Sequence, residues 1–377
     1  MEQHKGRIRL LDILRGFAIL GTLGTNIWIF AQLGDLSYIF TSSYTGWWEL
    51  DDLIRMIVLF LVNGKMLGLL TIMFGVGLEL KYQQAMRTGK TWPGAYMWVL
   101  IILFMEGLLH FALVMEYDIL MSYGITGMIA AFIVRGGDRL ISVAMKVIGS
   151  FHVVIILAIL LLALMGSNTS LGSFDQVVAL YQDGSWLQQV QYRLAHFLQL
   201  RAESIFVIPM NVFLFLLGVR LMRSGVFAQD ENGERQRKKL LKLGLFIGLP
   251  LNLLIFIPGG AFDLPARYLF APFLSLGYIA LIGKMIQYTK WNWLWRLLES
   301  AGKMSLSCYV MQNIIGSVLF YGWGFALGGK LNSLGIIAVW IGISLFQLWF
   351  ASTWLRLFKL GPMEAARKRA LGIIESR

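Results

Sequence analysis

The sequence predicts an all-α, polytopic integral membrane protein with about ten transmembrane helices and both termini cytoplasmic. Of its 377 residues 57% are hydrophobic and 14% charged, with a mean hydropathy of +0.67, more apolar than a soluble domain with one core sustains. Apolar runs of about 20 residues, enough to cross a bilayer, recur between polar breaks. Lys and Arg gather in alternate breaks, the asymmetry that keeps short loops on the cytoplasmic side.

The runs fall near residues 10–33, 53–80, 94–116, 118–134, 147–166, 204–222, 241–259, 267–287, 301–321 and 335–356. The second is interrupted by Asn63-Gly64-Lys65. It counts as one span, because the apolar stretch after Lys65 is too short to cross separately. Basic groups such as Lys81, Arg87 and Lys90, or Arg235, Arg237, Lys238 and Lys239, occupy every other gap. The remaining gaps hold mainly acids, among them Asp51, Asp52, Glu116, Asp118, Asp175 and Asp263, with Arg193, Arg201, Arg267 and Lys330 as their basic residues. Residues 1–377 therefore read as one transmembrane domain of a bacterial cytoplasmic membrane, with a basic cytoplasmic loop at 223–240. Ahead of that loop, 167–203 repeats apolar residues at near-helical spacing among polar ones and reads as an amphipathic segment on the outer interface, with Trp186 and Tyr192 at headgroup depth.

The net charge of +12 follows from orientation and from attraction to anionic membrane lipids. No aromatic-basic module stands outside the spans, so nucleic acid is not an expected partner. The first apolar run carries Asp12 and Arg15 and no small-residue cleavage site, so it reads as a retained span. Cys308 is the one cysteine, which excludes a disulfide within the chain, and it reads as packing. Asn168-Thr169-Ser170 matches a glycosylation acceptor, a triplet that often arises by chance. No spacing of metal ligands, glycine-rich phosphate loop or nucleophilic serine elbow occurs.

Function is sought where charge sits inside a span, since each such residue costs roughly 3 kcal/mol on insertion scales. Asp12 and Arg15 share a face of the first helix, and Asn26 returns to that face about three turns on. Lys65 lies too deep to snorkel, and Glu106 is its expected partner. Glu106 and His110 are neighbours on one helix face, where a histidine can exchange a proton and a carboxylate can hold its tautomer. The ninth span adds Ser305, Ser307, Gln312 and Asn313, polar groups suited to lining a tunnel or to bonding helices together.

The order Asp12-x-x-Arg15-Gly16, Asn26, Gly64-Lys65, Phe74-Gly75-Val76-Gly77, Gly107-Leu108-Leu109-His110 and Asp118-Ile119-Leu120-x-x-Tyr123 resembles the YeiB-like membrane proteins, a family of unknown function. Arg267-Tyr268, Ala301-Gly302-Lys303-Met304-Ser305, Tyr309-x-x-Gln312-Asn313 and Gly361-Pro362-Met363-Glu364 extend the resemblance over the second half. Tyr117 departs from it, replacing the usual glycine before the aspartate. The family is similar to the transmembrane acyltransferases, which implies transfer of an acyl group from cytoplasmic acyl-CoA to an extracytoplasmic sugar, glycan or lipid. In those enzymes the first helix often carries arginine and histidine at the spacing of Arg15 and Asn26. Asn26 cannot be a general base, so His110, with Glu106 behind it, is the expected catalytic pair. Asp12, Arg15, Asn26, Lys65, Gln312 and Asn313 are the expected acyl-CoA and acceptor contacts. Acyl-CoA is a co-substrate here, and no tightly bound cofactor or metal is expected. A proton-coupled transporter, a lipid or glycan translocator and a structural scaffold are the alternative readings. The sequence leaves the oligomeric state open.

Overall fold

The computed structural model describes residues 8–41, 49–165 and 174–375, and among them every regular element is helical. Among these residues eight helices are long and apolar enough to cross a membrane, and two shorter apolar ones accompany them. The polytopic membrane class read from composition therefore holds.

Helix α1 (Arg9–Ala31) is buried over most of its length, as a helix apolar on all sides should be. Helices α2 (Leu50–Val62) and α3 (Lys65–Arg87) form one long run, Leu50–Arg87, broken at Asn63 and Gly64. Gly64 has φ +74, and a Cβ there would lie 2.4 Å from the Arg267 carbonyl oxygen, so the break requires glycine. Asn63 Nδ2 donates to the Ile39 carbonyl at 3.1 Å.

Helices α4 (Tyr96–Leu113) and α5 (Leu120–Arg135) pack against each other. Gly107 permits the close turn between them, since a Cβ there would meet the Met121 amide nitrogen at 2.4 Å and Asp118 Oδ2 at 2.7 Å. Helix α6 (Gly137–Leu164) buries Ile141, Met145, His152 and Ile156 on one narrow stripe. Val147, Val154, Leu161 and Leu164 are exposed on its other faces, as expected where lipid rather than water is the solvent.

The outer segment is helical from Asp175 onward: α7 (Asp175–Asp183), α8 (Trp186–Ala195) and the single turn α9 (Phe197–Leu200). The Asn168-Thr169-Ser170 triplet lies outside the described residues. Ser185 and Gln188 close a capping box at the start of α8. Trp186 Nε1 donates to the Leu113 carbonyl at 2.9 Å, and the buried Arg193 donates to the Ala112 carbonyl at 3.0 Å and to the Tyr181 hydroxyl at 3.0 Å. The Tyr181 hydroxyl in turn donates to Glu116 at 2.5 Å. These bonds clamp the segment onto the end of α4.

Helix α10 (Ser204–Arg223) packs tightly on α3, where Gly75 and Gly218 lie against the Phe215 and Ile72 carbonyls. The 223–240 stretch, expected as a loop, is helical from Glu231: α11 (Glu231–Leu243) starts at Asp230, whose side chain accepts from the Gly233 amide at 2.8 Å. Its basic residues therefore line the first turns of a span, which continues through a π turn at Gly244–Gly248 into α12 (Leu249–Leu253). The next span joins α13 (Asp263–Pro265), a π turn at Ala266–Phe270 and α14 (Ala271–Met285).

The run expected at 301–321 divides into α15 (Asn292–Lys303) and the short α16 (Ser305–Phe320). A Cβ on Gly302 would stand 1.7 Å from the Asp12 carbonyl oxygen, and one on Gly16 2.0 Å from that of Leu298. Helices α1 and α15 therefore touch backbone to backbone. Helix α17 (Ser333–Leu357) is capped by Asn332, and α18 (Pro362–Glu375) ends the described chain. Glu364 of α18 accepts from the Leu306 and Ser307 amides at 3.0 and 3.3 Å. The carboxylate thus sits at the positive end of the α16 dipole, and α18 fills the space beneath the short α16.

Candidate functional site

His110 is buried near the end of α4, and Asp118 from the following turn and Tyr309 and Asn313 from α16 surround it. Its Nδ1 stands 3.0 Å from Asp118 Oδ1, in the turn between α4 and α5. The other carboxylate oxygen, Oδ2, accepts from the Met121 amide at 2.9 Å. His110 Nε2 is 3.1 Å from Asn313 Nδ2, and Asn313 Oδ1 accepts from Asn26 Nδ2 at 3.3 Å. The Tyr309 ring lies 5.1 Å from the imidazole, centroid to centroid. With Asn313 donating to Nε2, the imidazole proton belongs on Nδ1, which is close to the Asp118 carboxylate but not in line with it for a hydrogen bond. A histidine held this way has the basic nitrogen of a general base and a partner for the charge it acquires.

Cavities approach this cluster from both ends of the bundle, one touching Tyr309 and the other Asn26, while His110 lines neither. One of about 260 Å³ is lined at its mouth by Arg15, Lys303, Glu364 and Arg367 and at its floor by Ile119, Tyr123 and Tyr309. Its mouth lies among the helix ends that carry the basic residues. One of about 460 Å³ opens on the opposite side, lined by Asn26, Tyr117, Ile119, Tyr192, Glu203 and Arg267. A smaller void of about 50 Å³, bordered by Asp118, Ile119 and Arg201, lies beside it. Ile119 belongs to the walls of all three. In the larger cavity, burial and then the nearby Glu116 and Glu203 push the Tyr117 phenol well up, which keeps it a hydrogen-bond donor. Arg267 donates to the Tyr268 hydroxyl at 2.8 Å and to Asn63, while Tyr268 donates to Glu203.

The other expected site residues are not all in one place. Glu106 neither meets Lys65 nor backs His110, because both its oxygens are taken by Arg367 of α18, at 3.1 and 3.0 Å from Nε. The bidentate geometry suits a guanidinium better than an ammonium. Lys65 is fully buried at the start of α3, with its Nζ 5.5 Å from the Phe60 ring centre and no hydrogen-bond partner among the described residues. The expected Lys65–Glu106 pair is thus replaced by a Glu106–Arg367 pair. Asp12 and Arg15 do pair, at 3.8 Å, with Asp12 buried and Arg15 turned toward the basic cavity. Gln312 accepts from Gln347 at 3.2 Å and joins α16 to α17, away from His110. A double-mutant cycle of Glu106→Gln and Arg367→Gln should give a coupling on the order of 1 kcal/mol in thermal unfolding. Additive losses would show that the pair contributes nothing.

Residues 221–373 match the family model described as "Protein of unknown function (DUF418)". The chain is 28% identical over 383 residues to "Uncharacterized protein YeiB" of Escherichia coli (strain K12), a match covering 94% of this chain and 93% of that protein. It is 25% identical over 391 residues to "Uncharacterized protein YxaH" of Bacillus subtilis (strain 168), covering 95% and 92%. Over nearly its whole length the chain is similar to these YeiB-like proteins, whose printed descriptions assign no function. The residue that sequence reasoning missed as a site member is Asp118. It stood in the Asp118-Ile119-Leu120-x-x-Tyr123 motif but read as a loop acid, because the turn after α4, not helical spacing, carries it back to His110. Tyr309, Lys303 and Arg367 were missed as wall residues because the packing of α15, α16 and α18 around the cavity is not written in local spacing. Among the described residues no group of three His, Cys, Asp or Glu side chains stands close enough to hold a metal ion.

Proposed function

We propose that this protein is a membrane-embedded acyltransferase that takes an acyl group from cytoplasmic acyl-CoA and passes it to a sugar, glycan or lipid on the opposite side of a bacterial cytoplasmic membrane. The observation that carries the reading is the pair of cavities that approach Ile119 from opposite ends, beside the His110–Asp118 pair. A donor and an acceptor that live on opposite sides of a membrane need such an arrangement. The mouth suits the CoA phosphates: Arg15, Lys303 and Arg367 line it, each beside a carboxylate (Asp12, Glu299 and Glu106) that an incoming phosphate would displace, and guanidinium forks grip phosphate oxygens in pairs.

In this scheme the acyl chain and thioester lie along the floor near Tyr309 and Ile119. The acceptor enters the larger cavity, and its hydroxyl or amine replaces the Asn313 amide as the partner of His110 Nε2. That nitrogen takes the acceptor proton as the new bond to the carbonyl carbon forms, and Asp118 stabilises the imidazolium. The carbon–sulfur bond then breaks, and His110 returns the proton to the departing CoA thiolate. Asn26 and the displaced Asn313 amide are placed to hydrogen-bond the developing oxyanion.

Calorimetric titration of the purified protein in detergent with acetyl-CoA and free CoA tests the first step. Saturable binding is expected, and Arg15→Lys should weaken it by about tenfold although the charge is kept. The same opposed cavities also suit a proton-coupled transporter or a lipid or glycan translocator. A folded wild type with no saturable CoA binding would transfer the assignment to that class.

A further inference from the structure

A groove remote from His110 runs between α6 and α14 with α10 as its floor. It encloses about 820 Å³, within the usual range for a small-molecule site, and its walls include Met145, Gly149, Val153, Phe213, Leu217 and Phe273. Its polar residues are unevenly placed. Lys146 and Arg220 stand toward the basic helix ends with Ser142, and Arg220 donates to the Ser142 hydroxyl. The far end is closed by His152, whose Nε2 meets the Tyr268 carbonyl at 2.9 Å. No acidic side chain lines it. The neighbouring Asp138 is bound to Arg223 at 2.5 Å. The exposed Val154 beside the groove places it on a lipid-facing surface.

An apolar trough open to the bilayer, with two cations that have no ion-pair partner among the described residues at the end where headgroups lie, complements one class of molecule. We propose that this groove is a binding site for an anionic glycerophospholipid of the inner leaflet, with its phosphate on Lys146 and Arg220 and its acyl chains along the apolar walls toward His152. Arg220 supplies a fixed fork, held by Ser142, and Lys146 a mobile ammonium. The site is independent of the acyl-transfer reading, since none of its walls carries the His110 cluster.

The test uses the full-length protein in detergent, titrated with short-chain phosphatidylglycerol or with the chain-matched phosphatidylcholine, and followed by thermal unfolding. Phosphatidylglycerol should stabilise at about 25-fold lower concentration, since each of the two basic side chains near a membrane surface contributes on the order of a fivefold preference for anionic lipid. The double variant Lys146→Gln/Arg220→Gln should respond equally to both lipids. Ser150→Trp, at an exposed position in the groove wall, should remove the saturable response to either. Should the double variant not fold, Lys146→Gln alone is expected to lower the preference by about fivefold. Equal stabilisation of the wild type by the two lipids, or a preference that survives the charge substitutions, overturns the proposal.

Discussion

His110→Ala is expected, on the proposed acyltransferase function, to lower acyl transfer by about two to four orders of magnitude, the usual range for loss of a general base, with CoA binding at the basic mouth retained. His110 is buried and lies outside the residues that line that mouth, so its loss acts on proton movement after binding. The assay need not know the acceptor: slow thioester hydrolysis by the purified protein, read as released CoA thiol, reports the same step with water in the acceptor's place. Asp118→Asn is the companion variant. It keeps the shape of the side chain but removes the charge 3.0 Å from His110 Nδ1. It should therefore lower the rate strongly with binding intact, as expected when the tautomer is no longer held. Wild-type thiol release by His110→Ala would remove histidine from the mechanism.

Gly302→Ala is expected to give the largest loss of stability, about 4 kcal/mol or more, enough to prevent folding of many domains. The added Cβ would stand 1.7 Å from the Asp12 carbonyl oxygen. The obstacle is backbone, which no side-chain rotation can move aside, so α1 and α15 would have to separate. Gly342→Ala on α17 is the control. Nothing lies within 4 Å of its Cβ position, and alanine is the better helix former by about 1 kcal/mol. Size-exclusion profile and unfolding midpoint of the two variants should differ sharply. A Gly302→Ala protein as stable as Gly342→Ala would show that α1 and α15 are not in backbone contact.

The membrane class and the positions of the apolar runs were determined by the sequence alone, because a spanning helix is a local requirement: enough apolar residues in a row and backbone groups satisfied within the segment. The run around α10 was expected at 204–222 and is a helix at Ser204–Arg223. Runs that begin in polar sequence were less legible. Helix α6 was expected from 147 and starts at Gly137, and α11 was expected as a loop, because hydropathy does not register helical turns outside the apolar layer.

That His110, Asn26, Asn313 and Arg15 lie within the helix bundle could be read from type and position, since polar groups inside a span are costly enough to be noticed singly. Their partners could not. Glu106 and Lys65 were paired on the principle that opposite charges in neighbouring spans should meet, yet Glu106 binds Arg367, 261 positions further on, in a helix that no span pattern placed beneath α16. Asp118 reaches His110 only because Gly107 lets the turn after α4 fold tightly against the helix. Which groups are buried is fixed by local composition, which a linear sequence carries. Which buried group meets which is fixed by the packing of helices far apart in the chain, and that only the tertiary structure decides.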